Sequence, residues 1–191
     1  MKHIAILASG AGSNAARIIE HFDKHPTIKV SLIASNKSDA GVLSIAAAAG
    51  IPTVIMERER FFRGDGYVAV FQEHHIDFIV LAGFLWKIPS TLVQAFRGRM
   101  VNIHPALLPK YGGKGMYGKF VHEAVVASGE KSSGITIHFV DEIYDHGQIV
   151  FQDEFDLAPG ETPESLAARI HALEHRHFPR VIEEVVTSLK S

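Results

Sequence analysis

The 191-residue sequence contains no cysteine. Disulfides, thiolate metal ligands and a cysteine nucleophile are therefore excluded, and a reducing compartment fits. Nor is there an excess of basic residues. Nineteen Lys and Arg stand against 21 Asp and Glu, for a formal charge of −2. That balance weighs against a nucleic-acid binder that works by neutralising phosphates, though a local anion site remains compatible with it. Long apolar runs are missing as well. The longest uncharged stretch, Ala40 to Met56, contains Gly50 and Pro52, and a membrane span needs about 20 apolar residues. The opening residues MKHIAILASG lack an h-region with a cleavage signal and read as a strand. The expectation is a cytoplasmic protein with no membrane and no nucleic-acid partner. Neither a GxxxxGK[ST] loop nor a G-x-S-x-G elbow is present, which argues against a triphosphate site and against a serine acyl-enzyme.

What is present alternates. HIAILAS, IKVSLIAS, IPTVIM, IDFIVLAG and MVNIH are short apolar runs, mostly apolar on both faces. They read as parallel strands covered by helices on both sides. The stretches between them, AARIIEHFDKH, AGVLSIAAAAG, a segment ending YVAVFQEHH, and STLVQAFRG, are long enough for crossover helices. After a glycine-rich loop, KFVHEAVVASG reads as a helix. SSGITIHFVDE and QIVFQDEFDL then alternate more cleanly, as antiparallel strands with one wetter face do, and EIYDHG would turn between them. The final TPESLAARIHALEHRHFPRVIEEVVTSLK reads as a helix with Thr162 as N-cap, Pro163 as first residue and Ser165 in weak support. Pro179 is expected to kink or break it. The predicted fold is a Rossmann-like, doubly wound α/β sheet, mostly parallel with late antiparallel strands, and a C-terminal helix. It forms one domain over residues 1–191, with a nucleotide or phosphate half at 1–105 and a second half at 106–191.

SGAGSNAA (Ser9 to Ala16) joins the first strand to the first helix. Gly10 and Gly12 permit a tight turn and close backbone approach. Ser13 and Asn14 stand where free N–H groups and the positive helix end attract an anion. The stretch also satisfies G-x-G-x-x-A, which raises a dinucleotide reading. The acid expected about 20 residues on, to hold a ribose diol, is missing. Asn36 and Lys37 end the second strand instead, and Asp39 is more easily read as a helix cap. NADP is weakened by this, not removed.

In VNIHPALLPKYGGKG, Asn102 and His104 are two apart and share one strand face. Pro105 stops the strand there. Strand ends are where open α/β sheets bind ligands. Asn102 can donate to a carbonyl oxygen; His104 can move a proton near neutrality or, when charged, stabilise an oxyanion. An acid should set the imidazole's state. DEIYDHG offers Asp141, Glu142 and Asp145, and spacing does not choose among them. His171, His175 and His177 lack the H-E-x-x-H order of a hydrolytic zinc site, and no metal is expected.

ILASGAGSNAARII, IASNKSDA, IDFIVLAGFLWKI, VNIHPALLPKYGG, GITIHFVDEIYDHGQIV and LEHRHFP together resemble the phosphoribosylglycinamide formyltransferase family across nearly the whole chain. The resemblance implies a Rossmann-like fold and transfer of the formyl group of 10-formyltetrahydrofolate to the amine of glycinamide ribonucleotide, without a metal, as a monomer or homodimer. It implies catalytic roles for Asn102, His104 and Asp145. Gly12, Ser13 and Asn14 would hold the substrate phosphate and Glu174 the ribose hydroxyls. Leu85 and the segment Val140–Asp145, including Asp141, would line the folate pocket, with Gly83 beside it. Two stretches depart from the family pattern. GGKGMYGKFVHEAV replaces a compact PGxH-type stretch, with Lys114 and Lys119 near an anionic substrate or simply solvated. Trp86-Lys87 stands where many relatives carry Met-Arg. Three other functions compete. A formyltetrahydrofolate deformylase would use water as acceptor, and usually carries an N-terminal regulatory domain. An NADP-dependent oxidoreductase and a noncatalytic phosphometabolite-binding protein lie outside the class.

Overall fold

The computed structural model describes residues 1–63 and 66–189. Strand β1 (Lys2–Leu7) sets the layering. Ile4 and Ile6 pack into the apolar cluster on one face, while Ala5 and Leu7 pack into the cluster on the other. Side chains that alternate across a strand can bury both sets only if both faces are covered. Strand β4 (Phe78–Leu81) repeats the pattern: Phe78 and Val80 join the first cluster, Ile79 and Leu81 the second.

Among the described residues one seven-stranded sheet forms, in the order β3-β2-β1-β4-β5-β6-β7. The remaining strands are β2 (Ile28–Ser35), β3 (Thr53–Ile55), β5 (Met100–His104), β6 (Ser132–Phe139) and β7 (Ile149–Asp156). The pairings from β3 to β5 are parallel; β5–β6 and β6–β7 are antiparallel. Helices α1 (Ser13–Phe22), α2 (Gly41–Ala48), α6 (Lys119–Ala127) and α7 (Pro163–Ser188) supply the first cluster. Helices α3 (Arg58–Phe62), α4 (Val68–Glu73) and α5 (Ser90–Ala95) supply the second. The chain moves outward from β1 through β2 to β3, then returns to place β4 on the other side of β1. That reversal opens a crevice beyond the ends of β1 and β4, where open sheets of this kind take ligands.

The architecture agrees with the sequence reading, and four local details differ. The third crossover is two short helices, α3 and α4, and residues 64–65 between them lie outside the described residues. Asp39 does not cap α2: the N-cap is Ala40, with no side-chain cap bond. The Thr162 signal is stronger than its weak reading. Thr162 Oγ1 accepts from Ser165 N–H at 3.1 Å and Ser165 Oγ accepts from Thr162 N–H at 3.0 Å, a reciprocal capping box. Pro179 does not break α7, which continues to Ser188. The ring removes one intrahelical hydrogen bond, but Phe178, Val181 and Ile182 around it are buried in the first cluster, and that packing retains the helix. No described helix is long and apolar enough to cross a membrane.

Candidate functional site

A cavity of about 700 Å³ opens at the crevice. Its walls come from the loop after β1, the loop after β4, the end of β5, the glycine-rich segment before α6, the loop between β6 and β7, and the start of α7. Gly12, Ser13, Asn14, Leu85, Asn102, His104, Val140, Asp141, Asp145 and Glu174 all line it. Residues spread over more than 160 positions are thus brought to one space.

The end nearest β1 is shaped by backbone. Gly12 precedes α1 at φ 82°, and a Cβ there would stand 2.8 Å from Cβ of Val42. Glycine alone fits that left-handed position against α2. The turn leaves the N–H groups of the first helical turn, around Ser13 and Asn14, without intrahelical partners. Asn14 Nδ2 donates to Oε2 of the buried Glu174 at 2.9 Å, and His171 Nδ1 lies 2.9 Å from the same oxygen. That bond to Glu174 raises the pKa of His171 above its ordinary value. Asn14 Oδ1 is buried with no partner. Asn36, one of the residues at the end of β2, is engaged by Ser9, whose Oγ donates to Asn36 Oδ1 at 2.6 Å and accepts from Leu85 N–H at 2.9 Å.

Side chains dominate the end at β5. Asn102 and His104 do share a face. His104 is 3% exposed, and its Nε2–H donates to the Tyr111 carbonyl at 2.7 Å. That bond fixes the neutral tautomer and leaves Nδ1 facing Asp145 Oδ1 at 3.6 Å. Opposite Asn102 in the β5–β6 ladder stands His138. Its Nδ1–H donates to the Phe139 carbonyl at 2.8 Å, so Nε2 accepts from Asn102 Nδ2 at 3.1 Å. His138 Nε2 also lies 3.7 Å from Asp145 Oδ1. Asn102 Nδ2 reaches Asp145 Oδ1 only at 3.5 Å, a weak contact that leaves that N–H free to turn. Asp145 Oδ1 thus lies within 3.7 Å of one nitrogen from each ring and of the Asn102 amide donor.

Of the three candidate acids, the structure brings only Asp145 to this group. Asp145 has φ 52°, and its Oδ2 accepts from Gly113 N–H at 2.9 Å. Gly147, two residues on, packs so closely that a Cβ would stand 1.8 Å from the Phe139 carbonyl oxygen. The D-x-G spacing is thus a packing requirement that seats the loop on β6. Asp141 accepts from Ile143 N–H and pairs with His146 at 2.7 Å, while Glu142 pairs with Arg97 at 3.2 Å. Burial would raise the Asp145 pKa, but His138, His104 and the Gly113 N–H outweigh it and hold the carboxyl below its ordinary value. For His104 burial prevails. It lowers the pKa against the opposing pull of Asp145, which favours the neutral of the two forms the sequence leaves open.

The opposite wall is apolar, with Leu85, Ile88, Val140, Ile143 and Tyr144. Lys87 Nζ lies 5.6 Å from the Tyr144 ring centroid. Lys119 lines the cavity; Lys114 is not among its lining residues. Among the described residues no group of three or more His, Asp or Glu side chains is placed to hold a metal ion. His138 was missed by the sequence reading, as was the cavity-lining His122. The pairing of position 102 with 138 follows only from the antiparallel register, which spacing in the chain does not reveal.

The chain belongs to the formyl transferase family, whose model matches residues 2–182. It is 43% identical over 187 residues to the chloroplastic phosphoribosylglycinamide formyltransferase of Arabidopsis thaliana, covering 95% of this chain and 64% of that protein. The chain thus spans less than two thirds of that relative's length. Against the phosphoribosylglycinamide formyltransferase of Bacillus subtilis it is 34% identical over 191 residues, covering 97% of this chain and 95% of the relative. The crystal structure of phosphoribosylglycinamide formyltransferase from Bacillus Halodurans superposes with a TM-score of 0.89 at 33% identity, covering 99% of this chain and 97% of that one.

Proposed function

We propose that the chain transfers the formyl group of 10-formyltetrahydrofolate to the amine of glycinamide ribonucleotide, a step of purine synthesis. The observation that carries the reading is the cavity at the crevice. It joins a backbone anion turn, a proton-accepting polar group and an apolar wall, which suits two substrates held side by side. Family membership and the relatives' names support the same reaction.

In this reading the α1 end holds the phosphate through N–H groups at Gly12, Ser13 and Asn14, and Glu174 accepts from the ribose hydroxyls. Leu85, Val140 and Asp141 border the folate. The amine attacks the formyl carbon, a C–N bond forms, and negative charge moves to the formyl oxygen. Asn102 Nδ2 donates to that oxygen with the N–H that Asp145 holds only weakly. The proton leaving the amine enters the space between His104 Nδ1 and Asp145 Oδ1, where imidazolium and carboxylate then form a pair. His104 passes that proton on to N10 of the folate, the formyl carbonyl re-forms as the bond from N10 to the formyl carbon breaks, and tetrahydrofolate leaves. His138 keeps Asn102 turned toward the oxygen. The cofactor-like donor is a co-substrate here, and no step needs a metal.

A coupled assay tests the reading: 10-formyltetrahydrofolate consumption with glycinamide ribonucleotide, with water alone, and with methionyl-tRNA. Consumption that requires the ribonucleotide supports it. Equal turnover without any added acceptor would assign the chain to deformylation instead.

A further inference from the structure

His122 is a buried polar side chain of the cavity that the steps above leave unused. It lies in α6 beside Val121, is 4% exposed and lines the cavity. Its Nδ1 is sealed from solvent without a hydrogen-bond partner. A neutral imidazole carries one donor and one acceptor, and burying one of them, Nδ1, unpaired is unfavourable. Val121 and Val125 are buried on the same helix, so an aliphatic side chain would satisfy the packing at lower cost. The buried Nδ1 is left without a hydrogen-bond partner inside the protein.

Its place lies between the two ends of the cavity. His104 acts on it electrostatically from the reaction end, and His171 and Glu174 from the nucleotide end. Burial, His171 and His104 lower its pKa and outweigh Glu174, which keeps the ring neutral near pH 7. In glycinamide ribonucleotide, the group between the ribose and the attacking amine is a secondary amide with one N–H and one carbonyl.

We infer that His122 is a substrate-positioning residue that hydrogen-bonds this linking amide and so aims the amine at the formyl carbon. The inference rests on the ribonucleotide being the acceptor. One neutral ring matches an amide, whereas a carboxylate or ammonium would offer only acceptors or only donors. Fixing the amide plane removes rotations between a ribose already held at Glu174 and an amine that must approach at a defined angle.

The test begins with wild-type protein labelled with ¹⁵N in its histidines, the His122 signals being identified by their loss in His122→Gln. Glycinamide ribonucleotide should move those signals, and ribose 5-phosphate, which has no amide, should leave them in place. In steady-state assays His122→Leu should lose about 10²-fold in kcat, while ribonucleotide affinity by calorimetry stays within roughly tenfold. His122→Gln, which keeps a donor and an acceptor, should recover most of that loss. Unmoved signals, equal movement with ribose 5-phosphate, wild-type kcat in His122→Leu, or no recovery in His122→Gln would each overturn the inference while the acceptor assignment stands. A wild-type protein without ribonucleotide-dependent turnover overturns both, and that assay is read first.

Discussion

The two ends of the cavity are made from different materials. At the start of α1 the surface offered to a ligand is backbone, turned outward by a left-handed Gly12 packed on Val42. At the end of β5 it is side chains: Asn102, His104, His138 and Asp145, each held in orientation by a named bond. N–H groups of a helix end carry no proton that titrates, so they suit an anion that is merely held. The β5 group gathers acceptors around one donor, which suits a reaction that must move a proton. The first end is therefore sensitive to added bulk and the second to lost functional groups. Each kind of substitution separates binding from chemistry.

The largest effect is expected at Asn102. Asn102→Ala removes the donor aimed at the formyl oxygen and leaves His138 Nε2 without its partner. Formyl transfer should fall about 10²–10³-fold, the usual loss for one oxyanion donor. Ribonucleotide and folate affinities, measured separately by calorimetry, should change little.

Gly12→Ala probes the other end. Its Cβ would meet three Val42 atoms at 2.8–2.9 Å with the backbone at φ 82°, so α1 and α2 must shift. Ribonucleotide binding should weaken about tenfold or more, or at least 1.4 kcal/mol. Stability should fall by about 1–3 kcal/mol, as in other overpacked sites. Gly10→Ala, whose Cβ would meet no atom within 4 Å, should leave the urea midpoint unchanged. Folate affinity should hold in both variants. A ribonucleotide affinity unchanged in Gly12→Ala would remove the loop from the phosphate site.

How much of this was readable differs between the two ends for the same reason. The α1 end is local. SGAGSNAA lies within one turn of chain, and its glycine spacing shows in the sequence. The strands were readable because Ile4 to Leu7 and Phe78 to Leu81 are apolar at every position, which only a doubly covered sheet explains. At the β5 end, Asn102 and His104 were legible as a local pair, but their partners come from far along the chain. Asp145 could not be separated from Asp141 and Glu142 by spacing. His138 in ITIHF looks like an ordinary strand residue until the register sets it against Asn102. His122 looks like the polar member of an amphipathic helix until its burial is known. The balance at His104 was not legible because the sequence shows the neighbouring acid but not the 3% exposure that outweighs it.

Acid should sharpen the contrast further. His104, His122 and His175 all have pKa values lowered from 6.5 by burial. The unfolded chain binds those protons first, so stability rises with pH across this window. Their contribution is complete above 6.5 and is lost as pH falls through the lower folded-state values. His171, raised by Glu174, opposes in part. The net expectation is a lower urea midpoint at pH 5.5 than at pH 7.5. Asp145, lowered from 3.8, adds its own loss only at more acid pH.

The smallest effects belong to the two acids that make no bond to the Asn102, His104 and Asp145 group. Asp141→Asn and Glu142→Gln should keep turnover within about twofold, and breaking the exposed Arg97–Glu142 pair should cost about 0–1 kcal/mol.

The measurement closest to the centre of the account is single-turnover formyl transfer by Asp145→Asn with both substrates saturating. Asparagine tolerates the left-handed φ of 52° at this position, and its oxygen can still accept from Gly113 N–H. The variant therefore removes charge with little change of shape. The rate constant should be lower by about 10²-fold or more, with both dissociation constants within roughly tenfold of wild type. A folded Asp145→Asn that transfers formyl at close to the wild-type rate would contradict it.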